Sequence, residues 1–310
     1  MQEFDLIIIG GGPAGLTAGL YAARARLNTV LFDKSGGGGW LNTTQLVENY
    51  PGFPAGISGP ELAEAFIKQA ERFGLRIMME EVTRLEDHRP LKLVHTIAST
   101  YRTRSVIIAS GSRPIMLNIP GEEELMGRGV SICATCDAAL FEGREVAVIG
   151  GGNSAVDEAI SISRHAGKVT IVHRRDTLRA EKMLQDLAFP NPKINFIWNT
   201  VPEKIHGEGK VTGLTLRNVL TEEQSYLAVD GVFVFIGTAP NTDFLRGAVD
   251  IDENGYAIVN ENQRTSAEGV WAAGDVEDSR FRQAVIAAGR GASAALLADE
   301  YIKGLTFAMK

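Results

Sequence analysis

Cysteine is scarce in this chain, because its 310 residues include only Cys133 and Cys136. A structural zinc site requires four ligands, and no second cysteine or histidine cluster accompanies the pair, so zinc is disfavoured. The five histidines are scattered along the chain. Two interpretations then remain for the pair: a redox dithiol, or two buried thiols of the kind common in protein cores.

Long apolar runs and a surplus of basic residues are also missing. No segment approaches the length of a membrane span, and Met1–Asp5 leads into a strand without a basic and apolar secretion signal. The net charge of -7 argues against a nucleic-acid partner. We therefore expect a cytoplasmic protein without nucleic-acid or membrane partners. In that reducing compartment two closely spaced cysteines are more often catalytic than structural.

The composition is otherwise that of an ordinary globular protein, with 45% hydrophobic and 22% charged residues. A chain of 310 residues is long enough for about two domains.

A first nucleotide-binding pattern begins near the amino terminus. Phe4–Ile9 is an apolar run suited to a strand buried on both faces, and it leads into the Gly-x-Gly-x-x-Gly sequence of Gly10–Gly15. Glycines at these spacings allow a tight turn and a close approach of the backbone to a pyrophosphate. Leu16–Ala25 is predicted to be a helix, and Thr29–Phe32 a second strand that ends at Asp33, where a carboxylate could hydrogen-bond a ribose.

A second pattern of the same kind follows the cysteines. The apolar strand Glu145–Ile149 leads into Gly150–Ala155, which fits Gly-x-Gly-x-x-Ala, so the nucleotide-binding unit is repeated. The next strand, Lys168–Val172, ends at His173–Arg175 instead of an acidic residue. Guanidinium groups bind a 2′-phosphate that a carboxylate would repel, so these arginines, with Arg179, indicate NADP rather than NAD.

A last strand, Gly269–Ala273, ends at Gly274–Asp275, a second candidate for binding a ribose or ribitol. The helix predicted over Phe281–Tyr301 carries Arg282 and Gln283 near its start. This strand and helix need a sheet to lie on, so we expect them to complete the first domain, with the second inserted into it. The predicted domains are 1–113 with 242–310, and 114–241.

Several of these segments together resemble the low-molecular-weight thioredoxin reductases, which belong to the FAD- and NADPH-dependent pyridine nucleotide-disulfide oxidoreductases. The resemblance covers nearly the whole chain in order. It implies an α/β fold of two Rossmann-like domains, of the three-layer ββα type, and a homodimeric flavoprotein. The segments that carry it are Cys133–Asp137, Gly150–Ala155, His173–Arg175 with Arg179–Ala180, Gly274–Asp275 and Arg282–Ala284.

The resemblance also implies an activity. Hydride would pass from NADPH to FAD, electrons from the flavin to the Cys133–Cys136 disulfide, and the dithiol would then exchange with thioredoxin or a thioredoxin-like protein. Cys136 would face the flavin and Cys133 would attack the partner. Asp137 would donate and accept the proton, with helix capping as its alternative role. The inserted domain would rotate about linkers near Arg113–Pro114 and Ala239–Asn241.

The same resemblance assigns cofactor-binding residues, and no metal site. It places NADPH at Gly152, Asn153, Ser154, His173, Arg174, Arg175 and Arg179. It places FAD at Gly10, Gly12, Pro13, Ala14, Gly15, Asp33, Lys34, Trp40, Leu41, Asn49, Val82, Ala109, Gly111, Gly274, Asp275, Arg282, Gln283 and Ala284.

The chain departs from the family pattern in two places. Gly38-Gly39-Trp40 stands where the family commonly has Gly-Gly-Gln, and Ala138 replaces the usual glycine after Asp137. The glycine run Gly36–Gly39 fits either a loop facing a ring system or a linker. Trp40 leaves open a disulfide oxidoreductase of the same fold that is served by ferredoxin or a second flavin. A separate alternative, which does not depend on Trp40, is a non-catalytic nucleotide-binding or sensing module with structural cysteines.

Overall fold

The computed structural model describes residues 1–44 and 46–308, which fold as two compact units, Met1–Arg113 with Ala239–Lys310 and Pro114–Thr238. The sequence predicted that the first unit resumes at residue 242, whereas in the structure it resumes at Ala239. Two hydrogen bonds join Asn241 to the first unit. Ser110 Oγ donates to the carbonyl of Asn241 over 2.7 Å, and Asn241 Nδ2 donates to the carbonyl of Ser110 over 2.9 Å.

The helices and strands of the described residues follow the order of the two predicted nucleotide-binding units. The helices are α1 Pro13–Arg24, α2 Gly59–Arg72, α3 Ala134–Asp137, α4 Asn153–Ile162, α5 Lys182–Ala188 and α6 Ala284–Ala308. The strands are β1 Glu3–Ile9, β2 Thr29–Phe32, β3 Arg76–Met78, β4 Val82–His88, β5 Leu91–Thr96, β6 Thr100–Ile108, β7 Ser112–Pro114, β8 Val130–Ser131, β9 Glu145–Ile149, β10 Lys168–Val172, β11 Ile194–Ile197, β12 Thr200–Gly207, β13 Val211–Asn218, β14 Gln224–Ala228, β15 Gly231–Val234, β16 Thr238–Pro240 and β17 Val270–Ala272.

The first unit is built on a sheet with the order β3-β2-β1-β6-β5-β4, and β17 pairs with β6. Strand β1 pairs in parallel with β2 and β6, whereas β4, β5 and β6 form an antiparallel meander. Leu6 and Ile8 pack into the core that α1 and α6 cover, and Ile7 and Ile9 pack into the core on the other side. Burial on both faces explains why β1 is continuously apolar.

The second unit repeats this plan. Its parallel sheet has the order β11-β10-β9-β15-β8, and β12, β13 and β14 form a separate antiparallel sheet. Val146 and Val148 of β9 face the core that includes α4, whereas Ala147 and Ile149 face the core that the antiparallel strands line. Both units therefore confirm the predicted α/β fold class of two Rossmann-like domains.

The last helix begins later than the sequence predicted, at Ala284 instead of Phe281. The side chain of Asp278 accepts hydrogen bonds from the backbone N–H groups of Arg280, Phe281 and Arg282. Arg282 also has a φ of 48°, in the left-handed region, where a right-handed helix cannot continue. Arg282 and its neighbour Gln283 therefore lie in the turn that precedes α6. Among the described residues no helix, α6 included, has the length and apolar character of a membrane span.

Candidate active site

The two glycine-rich turns have the same geometry in both units. Gly10 has a φ of 104°, and a Cβ added to it would lie 2.2 Å from the carbonyl oxygen of Ala109. Gly150 has a φ of 146°, and its Cβ would lie 2.3 Å from the carbonyl oxygen of Phe235. Only glycine is free of both the clash and the backbone strain. Each turn delivers the chain from the first strand directly into a helix at the carboxyl end of the sheet.

The helices that follow these turns begin at open, uncapped ends. Gly12 precedes α1 and Gly152 precedes α4, and at neither end does a side chain cap the helix. A Cβ added to either glycine would have no atom within 4 Å. Free space in front of the first-turn N–H groups suits the pyrophosphate of a dinucleotide. The residues present therefore fit a dinucleotide in each unit.

Asp33 organises the loop beside the first turn. Its carboxylate accepts hydrogen bonds from the N–H of Gly11 at 2.8 Å, from Ser35 Oγ at 2.8 Å and from the N–H of Gly37 at 3.1 Å. Gly38 N–H donates to the carbonyl of Gly11 over 2.7 Å. These bonds tie the glycine run to the nucleotide turn, which favours an ordered loop over a linker.

Other residues predicted to bind FAD converge on the same end of the first unit. Asn49 Nδ2 donates to Gln283 Oε1 over 3.0 Å, so two residues far apart in sequence meet. Gly274 lies against the start of α1, where a Cβ added to it would be 3.0 Å from Ala14 Cβ. Burial raises the pKa of Asp275, the residue that follows, and a hydrogen bond from Ser112 Oγ at 3.3 Å opposes that effect.

The other residues predicted to bind FAD lie in several different parts of the first unit. Ala109 ends the central strand region against Gly10, and Leu41 is buried in a small cluster that Ala284 also contacts. Lys34 is exposed. Val82 lies on β4 and packs against the core on the meander side of the sheet. The role of Val82 in binding FAD stays a prediction.

In the second unit a loop of basic residues lies beside the nucleotide turn. Arg179 N–H donates to the carbonyl of Gly151 over 2.7 Å, and a Cβ added to Gly151 would lie 2.5 Å from the His173 ring. Burial, and then the positive charge of Arg179, lower the pKa of His173. Its Nε2 is buried and has no hydrogen-bond partner among the described residues. Arg174, Arg175 and Arg179 are exposed.

Asn153 links the second glycine turn to the far end of the basic loop. Its Oδ1 accepts the backbone N–H of Glu181 at 2.8 Å, and its Nδ2 donates to Glu181 Oε1 over 3.0 Å. Ser154 is exposed on the first turn of α4. Asn153 therefore holds the loop in place, and the three exposed arginines give the loop a positive charge.

Cys133 and Cys136 form a disulfide, with their Cα atoms 5.4 Å apart. Cys133 is the N-cap of α3, and the backbone N–H of Cys136 donates to Cys133 Sγ over 3.2 Å. Cys136 is exposed, which contradicts the interpretation of two buried thiols. Ser131 forms two hydrogen bonds with Cys133. The N–H of Cys133 donates to Ser131 Oγ, and Ser131 Oγ donates to the carbonyl of Cys133.

Asp137 directly follows the disulfide and ends α3. Its backbone N–H donates to the carbonyl of Cys133 over 3.3 Å. Its side chain makes no capping hydrogen bond to the short turn Ala138–Phe141 that comes next. The capping role considered for Asp137 therefore has no hydrogen bond to support it at this turn.

Two polar residues of these sites were not predicted from the sequence: Ser112 and Ser131. Ser112 follows the strand β6 and Gly111, and polar residues at the carboxyl ends of parallel strands often bind ligands, so a signal was present. Ser131 lies two residues before Cys133, in an arrangement typical of a serine turn. Outside these sites, Glu158 of α4 is half-buried, and this has no sequence signal because only tertiary packing shields it from water.

Glu158→Gln should stabilise the protein at alkaline pH. Burial raises the pKa of Glu158 to about 7 from 4.5, and the charge of Asp157 acts in the same direction. Glu158 therefore favours the folded state below pH 4.5, and that contribution is lost as the pH rises through 7. We expect the variant to be on the order of 2 kcal/mol more stable at pH 8, with little difference at pH 4.5, as measured by urea unfolding of the full chain. The exposed Glu208→Gln is the control, and a stabilisation independent of pH would contradict the assignment.

The comparisons with known proteins agree with this geometry. A family model described as pyridine nucleotide-disulphide oxidoreductase matches residues 4–291. The chain belongs to that family. The thioredoxin reductase of Streptomyces clavuligerus is 48% identical over 305 residues, which are 97% of this chain and 94% of that protein. The bifunctional thioredoxin reductase/thioredoxin of Mycobacterium leprae is 49% identical over 96% of this chain and 66% of that protein.

Solved structures give the same result. The crystal structure of Lactococcus lactis thioredoxin reductase in the FR conformation superposes with a TM-score of 0.95 at 42% identity, and covers 97% of this chain and 99% of that chain. A ferredoxin-flavin thioredoxin reductase from Clostridium acetobutylicum has a TM-score of 0.55 at 31% identity, and covers 98% and 99%. The chain is therefore more similar to the Lactococcus lactis enzyme than to this ferredoxin-flavin enzyme.

Proposed function

We propose that the protein is a thioredoxin-disulfide reductase that uses FAD and NADPH. The observation that carries this proposal is an accessible Cys133–Cys136 disulfide in the same unit as a nucleotide turn flanked by exposed arginines. Relatives that are 43–48% identical are named thioredoxin reductase, and the relative at 49% is named bifunctional thioredoxin reductase/thioredoxin. A non-catalytic module with structural cysteines predicts that both cysteines are buried, whereas Cys136 is exposed.

FAD, when bound, supplies a carrier that takes two electrons from NADPH and delivers them to the disulfide. The residues of the chain hold the carrier and complete the exchange. The start of α1, Asp33 and Asp275 would bind FAD, while the start of α4 and the basic loop at 173–179 would bind NADPH. Reduction converts the disulfide of Cys133 and Cys136 into two thiols, one of which must ionise to react.

The exchange itself needs one attacking and one resolving thiol. The thiolate of Cys133 attacks a sulfur of the partner disulfide, forming a mixed disulfide as the first partner thiolate leaves. Cys136 then attacks Cys133 Sγ, which re-forms the internal disulfide and releases the second partner thiol. The N–H of Cys136 at 3.2 Å can stabilise negative charge on Cys133 Sγ. Asp137 is assigned the proton that the leaving thiolate requires.

The surface beside the dithiol is suited to a protein partner. Leu140 follows Cys136 by one turn and is 76% exposed, an apolar side chain available next to the reacting sulfurs. The Mycobacterium leprae relative is named as a fusion of the reductase with thioredoxin, which supports thioredoxin as the partner. We further assign a homodimeric state and a cytoplasmic location, which gel filtration with light scattering and cell fractionation would test.

An anaerobic titration tests the electron donor. NADPH should bleach the flavin of the purified protein at about two equivalents, because the disulfide accepts two electrons and FAD accepts two more. The three exposed arginines beside the second nucleotide turn favour NADPH as the donor, since guanidinium groups bind a 2′-phosphate. Reduced ferredoxin should bleach it much more slowly. Bleaching by ferredoxin alone would contradict the assignment of NADPH, and a purified protein without flavin would contradict the proposed function as a whole.

A further inference from the structure

Trp40 and Asp275 are joined by the hydroxyl of Ser112. Trp40 Nε1 donates to Ser112 Oγ over 3.1 Å, and Ser112 Oγ donates to Asp275 Oδ2 over 3.3 Å. The three residues come from the short helical turn Gly39–Thr43, from β7 and from the segment after β17. Their positions in sequence are far apart, and only the fold of the first unit brings them together.

The direction of the two hydrogen bonds between Trp40, Ser112 and Asp275 follows from which groups carry a proton. An indole N–H can only donate and a carboxylate can only accept, whereas a hydroxyl has one proton and two lone pairs. When a lone pair of Ser112 Oγ accepts the hydrogen bond from Trp40 Nε1–H, the proton of the hydroxyl is free to point at Asp275. Oδ2 of Asp275 is then engaged, and Oδ1 can accept a hydrogen bond from elsewhere.

Asp275 needs such support because it is largely withdrawn from water. Burial is the main effect that raises its pKa, the hydrogen bond from Ser112 and the positive charge of Arg282 lower it, and Asp278 raises it. Losing the bond from Ser112 would make the carboxylate harder to ionise. An orienting donor therefore favours the charged form, which accepts hydrogen bonds best.

Trp40 is itself held firmly at this place. Its carbonyl accepts the hydroxyls of Thr43 and Thr44 at 3.1 and 2.9 Å. The preceding Gly39 lies against the first nucleotide turn, because a Cβ added to it would be 3.2 Å from Gly12 Cα. The residue remains 38% exposed, so it borders open space beside that turn instead of packing in the core.

We infer that Trp40 is a positioning residue of the FAD site, and that it acts through Ser112 to orient the carboxylate of Asp275 toward a hydroxyl of the cofactor. The inference deepens the proposed function and rests on it. Ser112 is the residue that transmits the effect. A role of Trp40 in filling space alone would not depend on that hydroxyl.

A double-mutant cycle on FAD binding tests the inference. The apoproteins of the wild type, Trp40→Phe, Ser112→Ala and the double variant are titrated with FAD, and each dissociation constant is measured by flavin fluorescence. We expect each single variant to bind FAD about fivefold more weakly, which is typical of the net effect of one hydrogen bond. The double variant should be no weaker than Ser112→Ala, because the N–H of Trp40 then has no hydroxyl to act on.

The pH dependence gives a second readout that a space-filling role would not change. FAD binding requires the ionised carboxylate and is lost as the pH falls through the pKa of Asp275. In Trp40→Phe and Ser112→Ala that pKa is higher, so binding should weaken at a higher pH than in the wild type. Trp198→Phe, in the second unit, is the matched control and should bind FAD as the wild type does.

Failure of this inference and failure of the proposed function give different results. Wild-type affinity in Trp40→Phe, or losses that simply add in the double variant, would overturn the inference while leaving the proposed function intact. A wild-type apoprotein that does not bind FAD would overturn both. Circular dichroism and the melting temperature of each apoprotein show whether a loss of affinity reflects a loss of fold instead.

Discussion

Cys133→Ser should lower the rate of thioredoxin reduction by at least about 10³-fold, while NADPH still bleaches the flavin. Serine cannot form the ionised nucleophile that attacks a disulfide, because its hydroxyl does not ionise near neutral pH as a thiol can. The flavin step does not require Cys133, so it continues. Two assays on one preparation measure the effect: anaerobic flavin reduction by NADPH, and turnover with thioredoxin.

Cys136→Ser is the matched control and separates the roles of the two sulfurs. Its free Cys133 can attack thioredoxin, but no second thiol can resolve the product, so a covalent mixed disulfide should accumulate. Non-reducing gel electrophoresis after treatment with oxidised thioredoxin detects that adduct. If Cys133→Ser formed the adduct and Cys136→Ser did not, the assignment of attacking and resolving cysteine would be reversed.

Replacing Arg174 and Arg179 together by alanine should raise the KM for NADPH by about 100-fold or more. Both side chains are exposed on the loop that Arg179 N–H and Asn153 fasten to the second nucleotide turn. Each charge-assisted hydrogen bond to a phosphate contributes about 1.5–3 kcal/mol. NADH lacks the 2′-phosphate, so its KM should hardly change. Steady-state kinetics with both nucleotides measure the ratio.

Arg144→Ala provides the control for net charge in the same unit. Arg144 is exposed and lies 3.8 Å from Asp230, away from the nucleotide loop in sequence. It should leave the preference for NADPH unchanged. Equal losses with NADPH and NADH in the Arg174 and Arg179 variant would show that these residues hold the loop but do not bind the phosphate.

The nucleotide units could be predicted from local sequence because their requirements are local. Gly10 and Gly150 must be glycine to avoid the carbonyl oxygens of Ala109 and Phe235, and their positions after apolar strands are visible in the chain. Basic residues directly after β10 predict NADP in the same way, because they too can be recognised from the order of residues along the chain. For such features the spacing of residues along the chain already contains the physical constraint.

Other features depended on packing between distant segments. Helix α6 begins later than its apolar pattern predicts, because that pattern does not reveal that Asp278 accepts hydrogen bonds from the N–H groups of the preceding turn. The burial of Glu158 likewise has no trace in its neighbours along the chain. The pairing of Asn49 with Gln283 joins residues too far apart for any periodicity to connect.

For the dithiol, too, some properties follow from the sequence alone and others only from the folded protein. The chain alone places Cys133 and Cys136 between two dinucleotide turns, and by resemblance assigns them redox chemistry, because motif, order and spacing are properties of the covalent sequence. Only the folded protein showed that Cys136 is exposed, that its N–H contacts Cys133 Sγ and that Ser112 links Trp40 to Asp275. Exposure and hydrogen bonding depend on which distant segments pack together, and a linear pattern of residues does not contain that information.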